Sequence, residues 1–140
     1  MPDSNFRFSI SISVRFDDMD ALGHVNNAKY LTYFEEARLA YWVNLFPLDY
    51  SNIQSVGLIL ASADVNFRAP AQLGDVLTVY VRVPEFGTKS FPMEYRIEHQ
   101  KTGQLVADGS TVQVMYDYER KLTIPVPADT KKRITEFESA

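Results

Sequence analysis

One segment constrains the fold more than any other: residues 27–46 form a predicted helix with apolar side chains on nearly all its faces. Between residues 30 and 46 the only polar positions are Thr32, Glu35, Glu36, Arg38 and Asn44. A helix on a protein surface would show a polar half, so this pattern predicts a largely buried helix. It would be about 30 Å long, which matches the width of a sheet of several strands. Pro47 marks its end.

Five segments with the alternation of β-strands accompany this helix. One precedes it, at residues 6–16, and four follow, at residues 58–68, 76–83, 89–99 and 104–118. In the second segment one face is predicted to hold Ile59, Ala61, Ala63, Val65 and Phe67. Pro92 interrupts the fourth and indicates a bulge or an edge position. Short turns join most of the later strands, which implies antiparallel neighbours. A short polar helix is predicted from about Ala128.

This order of elements predicts an α+β fold, in which a curved antiparallel sheet of about five strands wraps around one long central helix. The chain of 140 residues is 46% hydrophobic, which is enough for a single domain over residues 1–140. The helix is too apolar for one small sheet to cover. We therefore expect a homodimer with one continuous sheet and with active sites at the subunit interface. In the alternative arrangement, two such dimers pair to form a homotetramer.

Composition excludes several classes of protein. The net charge is −4 with no dominant basic stripe, which argues against binding to nucleic acid. The absence of cysteine excludes disulfide scaffolds and a cysteine nucleophile, and it fits a reducing cytoplasm. The sequence begins without an apolar signal core and contains no run long enough to span a bilayer. We expect a cytoplasmic protein with no membrane partner.

The junction between the first strand and the helix carries the most distinctive chemistry. Asp17, Asp18 and Asp20 precede a turn at Gly23, and the helix follows. A helix start offers unpaired backbone N–H groups and a positive dipole end. A base beside such an anion-stabilising site is what acyl transfer to water requires. Asp and Asn before a helix also serve as caps and turn formers, so both interpretations stay open at this point.

Other catalytic patterns are absent from the sequence. It has no G-x-S-x-G elbow, no phosphate-binding P-loop and no G-x-G-x-x-G motif. His24 and His99 lie far apart in the chain, and no cluster of metal ligands is evident. We expect neither a metal nor a cofactor. The remaining constellation is at the junction and consists of Asp20, His24, Asn26 and Asn27.

This constellation, taken with its neighbours, resembles the 4-hydroxybenzoyl-CoA thioesterase-like branch of the hotdog-fold acyl-CoA thioesterases. The branch has the pattern D-x-D-x-x-G-x-V, then a Tyr and E-x-A-R, which is matched here by Asp18, Asp20, Gly23, Val25, Tyr30, Glu35, Ala37 and Arg38. The variant G-H-V-N-N-A-x-Y is similar to the long-chain acyl-CoA thioesterase subgroup. The resemblance continues at residues 65–70, 74–75, 90–91 and 124–125, and so covers most of the chain.

The resemblance implies a hotdog fold and hydrolysis of an acyl-CoA, or of an acyl-carrier-protein thioester, to a free acid and a thiol. It places the catalytic carboxylate on Asp20, as general base or as nucleophile. It places the N–H that binds the thioester carbonyl on Asn27, with Asn26 and His24 beside it. Coenzyme A enters only as part of the substrate. Its phosphates need cationic contacts on an acidic protein, and Arg68 and Lys89 are the candidates.

Two other functions remain in competition. One is a hotdog-fold dehydratase or hydratase, a group that typically uses an Asp and His pair on a different loop, which this sequence does not reveal. The other is a non-catalytic acyl-binding module, against which the Asp20 carboxylate beside the helix start argues. The sequence does not decide the length or type of the acyl group, nor does it decide between CoA and a carrier protein.

Overall fold

The structure is a computed structural model that describes residues 5–140. Its strands are β1 (Phe8–Ser13), β2 (Leu58–Phe67), β3 (Val76–Arg82), β4 (Ser90–His99), β5 (Leu105–Asp117) and β6 (Leu122–Thr123), and its helices are α1 (Lys29–Leu45) and α2 (Ala128–Ser139). Short 3₁₀ turns at Phe16–Asp18 and Ile53–Val56 precede α1 and β2. Within the described range, neither helix is both long and apolar enough to cross a membrane.

The strands form one antiparallel sheet in the order β1-β3-β4-β5-β2. The predicted sequence of one strand, one helix and four strands is therefore confirmed. The two-residue strand β6 pairs with the C-terminal end of β5, and it was not predicted because two residues are too few to show alternation. β1 and β2 are the outer strands, and within the described chain each has only one strand beside it.

Helix α1 packs its aromatic side chains onto this sheet, and the prediction of a long, largely buried helix is confirmed. It starts two residues later and ends one residue earlier than predicted. Phe34 stacks on Tyr95 of β4, with ring centroids 4.3 Å apart and an interplanar angle of 11°. Leu31 and Glu35 remain exposed on one flank of the helix. The sheet of one chain therefore covers α1 only in part.

A bulge in β2 changes which of its side chains face the helix. The register with β5 shifts just after Leu60. Leu60 lies opposite Gln113, which is buried, so Leu60 shares its face and Ile59 points to the other side of the sheet. The prediction that Ile59 shares a face with Ala63 is wrong, because the extra residue, Ala61, interrupts the alternation.

Pro92 occupies the position that its chemistry requires. β3 pairs with β4 only from Glu94 to His99, so Pro92 lies where β4 has a strand neighbour on the β5 side alone. The predicted edge position is therefore confirmed. The irregularity between β4 and β5 lies elsewhere, after Ile97.

Helix α2 begins at Ala128 as predicted, and it packs against the open end of the core. Ile134 is completely buried. The Glu138 carboxylate accepts hydrogen bonds from the Tyr41 hydroxyl at 2.6 Å and from the Val83 N–H at 3.1 Å. Burial, and then the bond to Glu138, raise the pKa of Tyr41, so its hydroxyl stays protonated and remains a donor. The C-terminal helix is therefore tied to both α1 and the sheet.

Gly109 of β5 permits the close approach of β2, and it generates a prediction. A Cβ at this position would lie 2.2 Å from the carbonyl oxygen of Asp64 and 3.0 Å from the Phe34 ring. We expect Gly109→Ala to lower the free energy of unfolding by about 1–3 kcal/mol, the usual cost of overpacking. Chemical denaturation measures this change. Ser62→Ala, at an exposed position of β2, is the control, and an equal loss of stability in both variants would contradict the packing argument.

Candidate active site

The candidate site is built on a hairpin-like turn, residues 18–26, that leads into α1. Its two arms are joined by the contacts Asn26 N–H to Asp18 O, Met19 to Val25, and Asp20 N–H to His24 O. Gly23 closes the turn with φ +87°, a conformation that glycine adopts without steric cost. The N–H of Val25 donates to the carbonyl of Ala71 at 2.8 Å and fixes the turn to the segment that follows β2.

Asp20 is half-buried next to the tip of this turn, and its two carboxylate oxygens differ. Oδ1 accepts a hydrogen bond from the N–H of Leu22 at 2.9 Å. Oδ2 accepts no hydrogen bond from any residue in the range 5–140. One Asp20 oxygen therefore stabilises the turn, as the turn-forming interpretation predicts. The other oxygen is available to a ligand or a water molecule.

The two asparagines before α1 have different environments. The side-chain oxygen of Asn26 accepts the N–H of Ala28, and its carbonyl accepts the N–H of Lys29, both at 2.9 Å. This local turn guides the chain into the helix, which explains why α1 begins later than predicted. Asn27 is exposed, and its backbone N–H donates no hydrogen bond within the part of the chain that is described. Asn27 precedes Ala28, the N-cap of α1, so its free N–H lies just before the helix start.

The turn brings the four predicted residues together. Asp20 and His24 face each other across its arms, Asn26 ends one arm, and Asn27 follows directly. The His24 side chain is half-buried and makes no hydrogen bond to residues 5–140. A carboxylate with a free oxygen and a helix N-terminus with a free N–H therefore occupy one short segment of chain.

Asp18, in contrast, is a buried structural carboxylate with only 2% of its surface exposed. Its Oδ2 accepts the backbone N–H of Arg15 at 3.0 Å and the hydroxyl of Tyr33 at 2.7 Å. Burial alone would raise the pKa of Asp18, but these bonds, with the charges of Arg15 and Lys29, outweigh it and hold the pKa below its usual value. Asp18 is therefore ionised and held inside the protein through Oδ2, whereas Asp20 is half-buried and its carboxylate is bonded only within its own turn.

Comparison with known families identifies the superfamily of this chain. A family model described as the thioesterase-like superfamily matches residues 14–134, a range that includes the whole turn, α1 and all the later strands. The chain belongs to the thioesterase-like superfamily.

Individual members of the thioesterase-like superfamily align with nearly the whole chain. A thioesterase from Thermus thermophilus, solved in complex with coenzyme A and Zn, has a TM-score of 0.87 and 31% identity, covering 99% of this chain and 98% of that one. The long-chain acyl-CoA thioesterase FadM of Escherichia coli K12 is 27% identical over 126 residues, 90% of this chain and 96% of FadM. A mutant 4-hydroxybenzoyl CoA thioesterase, complexed with 4-hydroxybenzoyl CoA, has a TM-score of 0.80 and 25% identity, covering 91% and 97%. The predicted hotdog fold and the predicted class, a thioester hydrolase, are confirmed.

The two residues predicted to contact CoA phosphates lie far apart in this thioesterase-like chain. Arg68 is exposed, forms an ion pair with Asp108 at 3.3 Å, and donates its N–H to Val106. Lys89 is exposed, and its carbonyl accepts the N–H of Met115. Val106 and Met115 are nine residues apart on β5, or about 30 Å at 3.3 Å per residue. One chain therefore holds Arg68 and Lys89 at opposite ends of the sheet, and their role in binding CoA stays a prediction.

The histidines show no sign of metal chemistry. Across residues 5–140, no three His, Cys, Asp or Glu side chains converge in a way that could hold a metal ion. His99, at the end of β4, lies beside Asp75 with Nδ1 and Oδ2 3.7 Å apart. The expectation of a site without metal or cofactor stays a prediction.

The sequence analysis missed a buried polar network behind α1. Arg38 donates to the Tyr95 hydroxyl at 3.1 Å, which is 2.7 Å from Oγ1 of Thr111. Gln113 also donates to Thr111 Oγ1, at 2.9 Å. The only signal in the sequence is the spacing of Thr111 and Gln113, two residues apart in a strand. If apolar side chains are assumed to face the core, the opposite face of that strand is predicted to be buried.

Two sizeable cavities lie near this network and away from the turn. Their volumes are about 650 Å³ and 550 Å³, and they share Val56, Gly57 and Tyr118 in their walls. Neither is lined by Asp20, His24, Asn26 or Asn27. Within one chain, the candidate catalytic groups therefore lie on an open surface at one end of α1, and the cavities lie toward the other.

The contrast between the carboxylates predicts a pH-dependent effect of Asp18→Asn. The folded state holds the Asp18 proton less tightly than the unfolded state. The stabilisation is therefore complete above the unfolded pKa of about 3.9 and declines as the pH falls toward the lower folded pKa. We expect the substitution to cost about 1–3 kcal/mol at pH 7, the usual range for a hydrogen bond to a charged group. The cost should shrink below about pH 4.

Denaturant unfolding at several pH values measures this difference. Asp17→Asn is the matched control, because Asp17 is exposed and makes no hydrogen bond or ion pair with residues 5–140. A cost for Asp18→Asn that stayed constant down to about pH 3 would contradict the assignment of the stabilising charge to Asp18.

Proposed function

We propose that this protein hydrolyses an acyl-CoA thioester to a free carboxylic acid and CoA. The observation that carries the proposal is the placement of two free groups on one short segment: Oδ2 of Asp20 belongs to the turn, and the unpaired N–H of Asn27 follows that turn directly. The superfamily supports it, as do relatives whose names specify acyl-CoA substrates. We further propose that the protein belongs to the 4-hydroxybenzoyl-CoA thioesterase-like branch of this superfamily.

Each half of the pair has a defined task in thioester hydrolysis. The carbonyl oxygen gains negative charge as the carbonyl carbon is attacked, and the Asn27 N–H at the positive end of the α1 dipole stabilises that charge. Asp20 either removes a proton from the attacking water or attacks directly to give a mixed anhydride, which water then hydrolyses. In both routes the thiolate of CoA leaves and takes up a proton. Asn26 caps the turn that presents the N–H, and His24 borders it.

The other carboxylates near α1 are poorer candidates for the base. Glu36 is held by the guanidinium of Arg15, with Nη2 and Oε2 2.9 Å apart. Glu35 lies two turns into the helix, away from the positive dipole end, and its carboxylate is 3.8 Å from the Arg38 guanidinium. Asp20 is therefore closer in sequence than Glu35 or Glu36 to Asn27, where negative charge develops on the thioester. It also lies nearer the positive end of the α1 dipole.

A colorimetric assay of thiol release across a panel of acyl-CoA substrates tests the proposed function directly. The panel includes aromatic and aliphatic acyl groups, and it includes an acyl-carrier-protein thioester as the alternative substrate. An absorbance assay with an enoyl-CoA tests the dehydratase or hydratase alternative. Water addition to the enoyl group without thiol release would support that alternative and contradict hydrolysis.

We further propose that the protein works in the cytoplasm.

We also propose that the active form is a homodimer, with the homotetramer as a pair of such dimers. The free edge of β2 supports this assembly, because unpaired strand edges invite pairing with another chain. This strand also exposes the apolar side chains of Leu60 and Phe67, and the Phe67 ring packs against Tyr30 of α1 with ring centroids 5.4 Å apart. A second copy pairing along β2 would continue the sheet and bring its own residues to the open surface beside Asp20.

Asp20→Asn is the sharpest test of the mechanism. An asparagine oxygen can still accept the Leu22 N–H, so the turn should keep its shape while the negative charge and the basicity are lost. We expect kcat to fall by at least about 10²-fold, the low end for a positioned proton-transfer group, while KM changes much less. Asp17→Asn is the matched control and should retain the wild-type rate. A folded Asp20→Asn protein that releases thiol at a near-wild-type rate would refute the mechanism.

Light scattering coupled to size exclusion tests the assembly. The chain mass is 16.0 kDa, so we expect two or four times this mass at micromolar concentration. Ala61→Arg places a charge in the exposed bulge of β2 and should lower the observed mass. Ser9→Arg, at an exposed position of the other edge strand, should not. A stable wild-type monomer would contradict the proposal.

A further inference from the structure

Tyr33 joins α1 to the candidate catalytic turn through a buried hydrogen bond. Its side chain is completely buried, and its hydroxyl donates to Oδ2 of Asp18 at 2.7 Å. Apart from the bonds that the chain makes as it enters the helix, this is the one hydrogen bond between residues 18–26 and α1 in the described chain. The position of the turn relative to the helix therefore depends on this contact.

Asp18 passes this constraint on to the residues that carry the proposed chemistry. Its side chain is held by Tyr33, and its backbone carbonyl accepts the N–H of Asn26 at 2.8 Å. Asn26 directly precedes Asn27, whose free N–H is the proposed site of the thioester oxygen. Asp20 lies two residues beyond Asp18 on the same arm of the turn. One buried side chain is therefore connected to both halves of the candidate site.

Two side chains of α1 reach the segment before the turn, and their contacts differ in strength. Glu36 pairs with Arg15, but both side chains are partly exposed, and such ion pairs contribute little to stability. The bond from Tyr33 to Asp18 is buried and has one charged partner, which makes it stronger than a neutral hydrogen bond. The ring of Tyr33 is itself packed edge-on against Tyr30, with centroids 5.9 Å apart. The direction of its hydroxyl is therefore fixed.

The separation of the two reacting groups depends on how the arms of the turn are held. Asp20 belongs to the first arm, Asn27 follows the second, and the bond from Asn26 to Asp18 joins the arms at the end nearest the helix. The thioester oxygen must reach the N–H while its carbon is attacked from the carboxylate side, and a misplacement of about 1 Å can cost on the order of 10²-fold in rate. A contact that fixes Asp18 therefore bears directly on the reaction geometry.

We propose that the Tyr33 hydroxyl is a positioning group for the reaction: by holding Asp18, it sets the separation between the Asp20 carboxylate and the Asn27 N–H. Tyr33 acts through Asp18 and takes no part in proton transfer. The inference rests on the proposed function for its effect on rate, whereas its effect on the turn can be measured without a substrate.

Kinetics of Tyr33→Phe tests the effect on rate, because the substitution removes the hydroxyl and keeps the ring. We expect kcat for thiol release to fall by about three- to thirtyfold, less than in Asp20→Asn because both reacting groups remain, while KM changes much less. The rates are compared at a temperature at which circular dichroism shows every variant to be folded.

Tyr41→Phe is the matched control for a purely structural role. Tyr41 is also a completely buried tyrosine of α1 whose hydroxyl donates to a carboxylate, that of Glu138 at 2.6 Å, but it lies toward the other end of the helix. Both substitutions should lower the stability, and only Tyr33→Phe should lower kcat. Equal kcat values in the two variants would overturn the inference.

A double-mutant cycle tests whether Tyr33 acts through Asp18. Asp18→Asn weakens the same contact from the other partner, because a neutral amide is a poorer acceptor, and it should also lower kcat. The kcat of the double variant should then exceed the value expected if the two single effects multiplied. A kcat equal to that product would show that Tyr33 acts independently of Asp18, and the assignment would be wrong.

Amide hydrogen exchange separates this inference from the proposed function. In Tyr33→Phe the Asn26 N–H should exchange at least about tenfold faster, the factor for loss of one hydrogen bond to a charged group, because local opening of the turn becomes easier. Tyr41→Phe should leave this exchange unchanged. If no acyl-CoA is hydrolysed but the difference is seen, the proposed function fails and Tyr33 still holds the turn. Equal exchange in both variants would refute the positioning role even if hydrolysis occurs.

Discussion

The hydrogen bond between Tyr33 and Asp18, 2.7 Å long, is the contact on which the candidate site depends. Tyr33 is on the first turns of α1, and Asp18 is at the base of the turn that carries Asp20. The bond is buried and charged on one side, which makes it stronger than an ordinary hydrogen bond. Burial and the neighbouring carboxylate raise the pKa of Tyr33, so the donor keeps its proton. The contact therefore fixes the position of the turn relative to the start of the helix.

The uncovered side of α1 links the chemistry to assembly. Tyr30, Phe34 and Tyr41 are buried, while Leu31 and Glu35 remain exposed. This exposed side begins beside Asn27. A second copy that paired along β2 would therefore cover a surface next to the candidate catalytic turn.

The sequence predicted the elements well because their patterns are local. The alternation of the strands and the apolar run of α1 depend on the residues themselves, and most elements lie within one or two residues of the predicted bounds. β1 is the exception: residues 6–16 were predicted but it spans Phe8–Ser13, because Phe16 begins a 3₁₀ turn and is exposed. The bulge at Ala61 was not predictable from alternation, since its extra residue is visible only in the pairing with β5. β5 was also hard to interpret, because Thr111 and Gln113 face the helix and are satisfied by side chains from distant parts of the chain.

The candidate site shows the same division between local and distant information. The sequence placed Asp20, His24, Asn26 and Asn27 on one junction, and the structure brings them together in one turn. It could not separate the roles of Asp18 and Asp20 physically, because the difference lies in burial and in a partner fifteen residues away. Only the resemblance to the thioesterases distinguished the two carboxylates in the sequence. In the structure the two carboxylates differ in burial and in partners: Asp18 is buried and bonded to Arg15 and Tyr33, whereas Asp20 is half-buried and bonded only to Leu22 of its own turn.

The most direct test of this account is a crystal structure of the Asp20→Asn variant with an intact acyl-CoA bound. We predict that the thioester carbonyl oxygen accepts a hydrogen bond from the Asn27 backbone N–H at about 2.7–3.1 Å, with the amide of residue 20 beside the carbonyl carbon. A thioester bound away from Asn27 and residue 20 would contradict the central claim that this turn is the catalytic site.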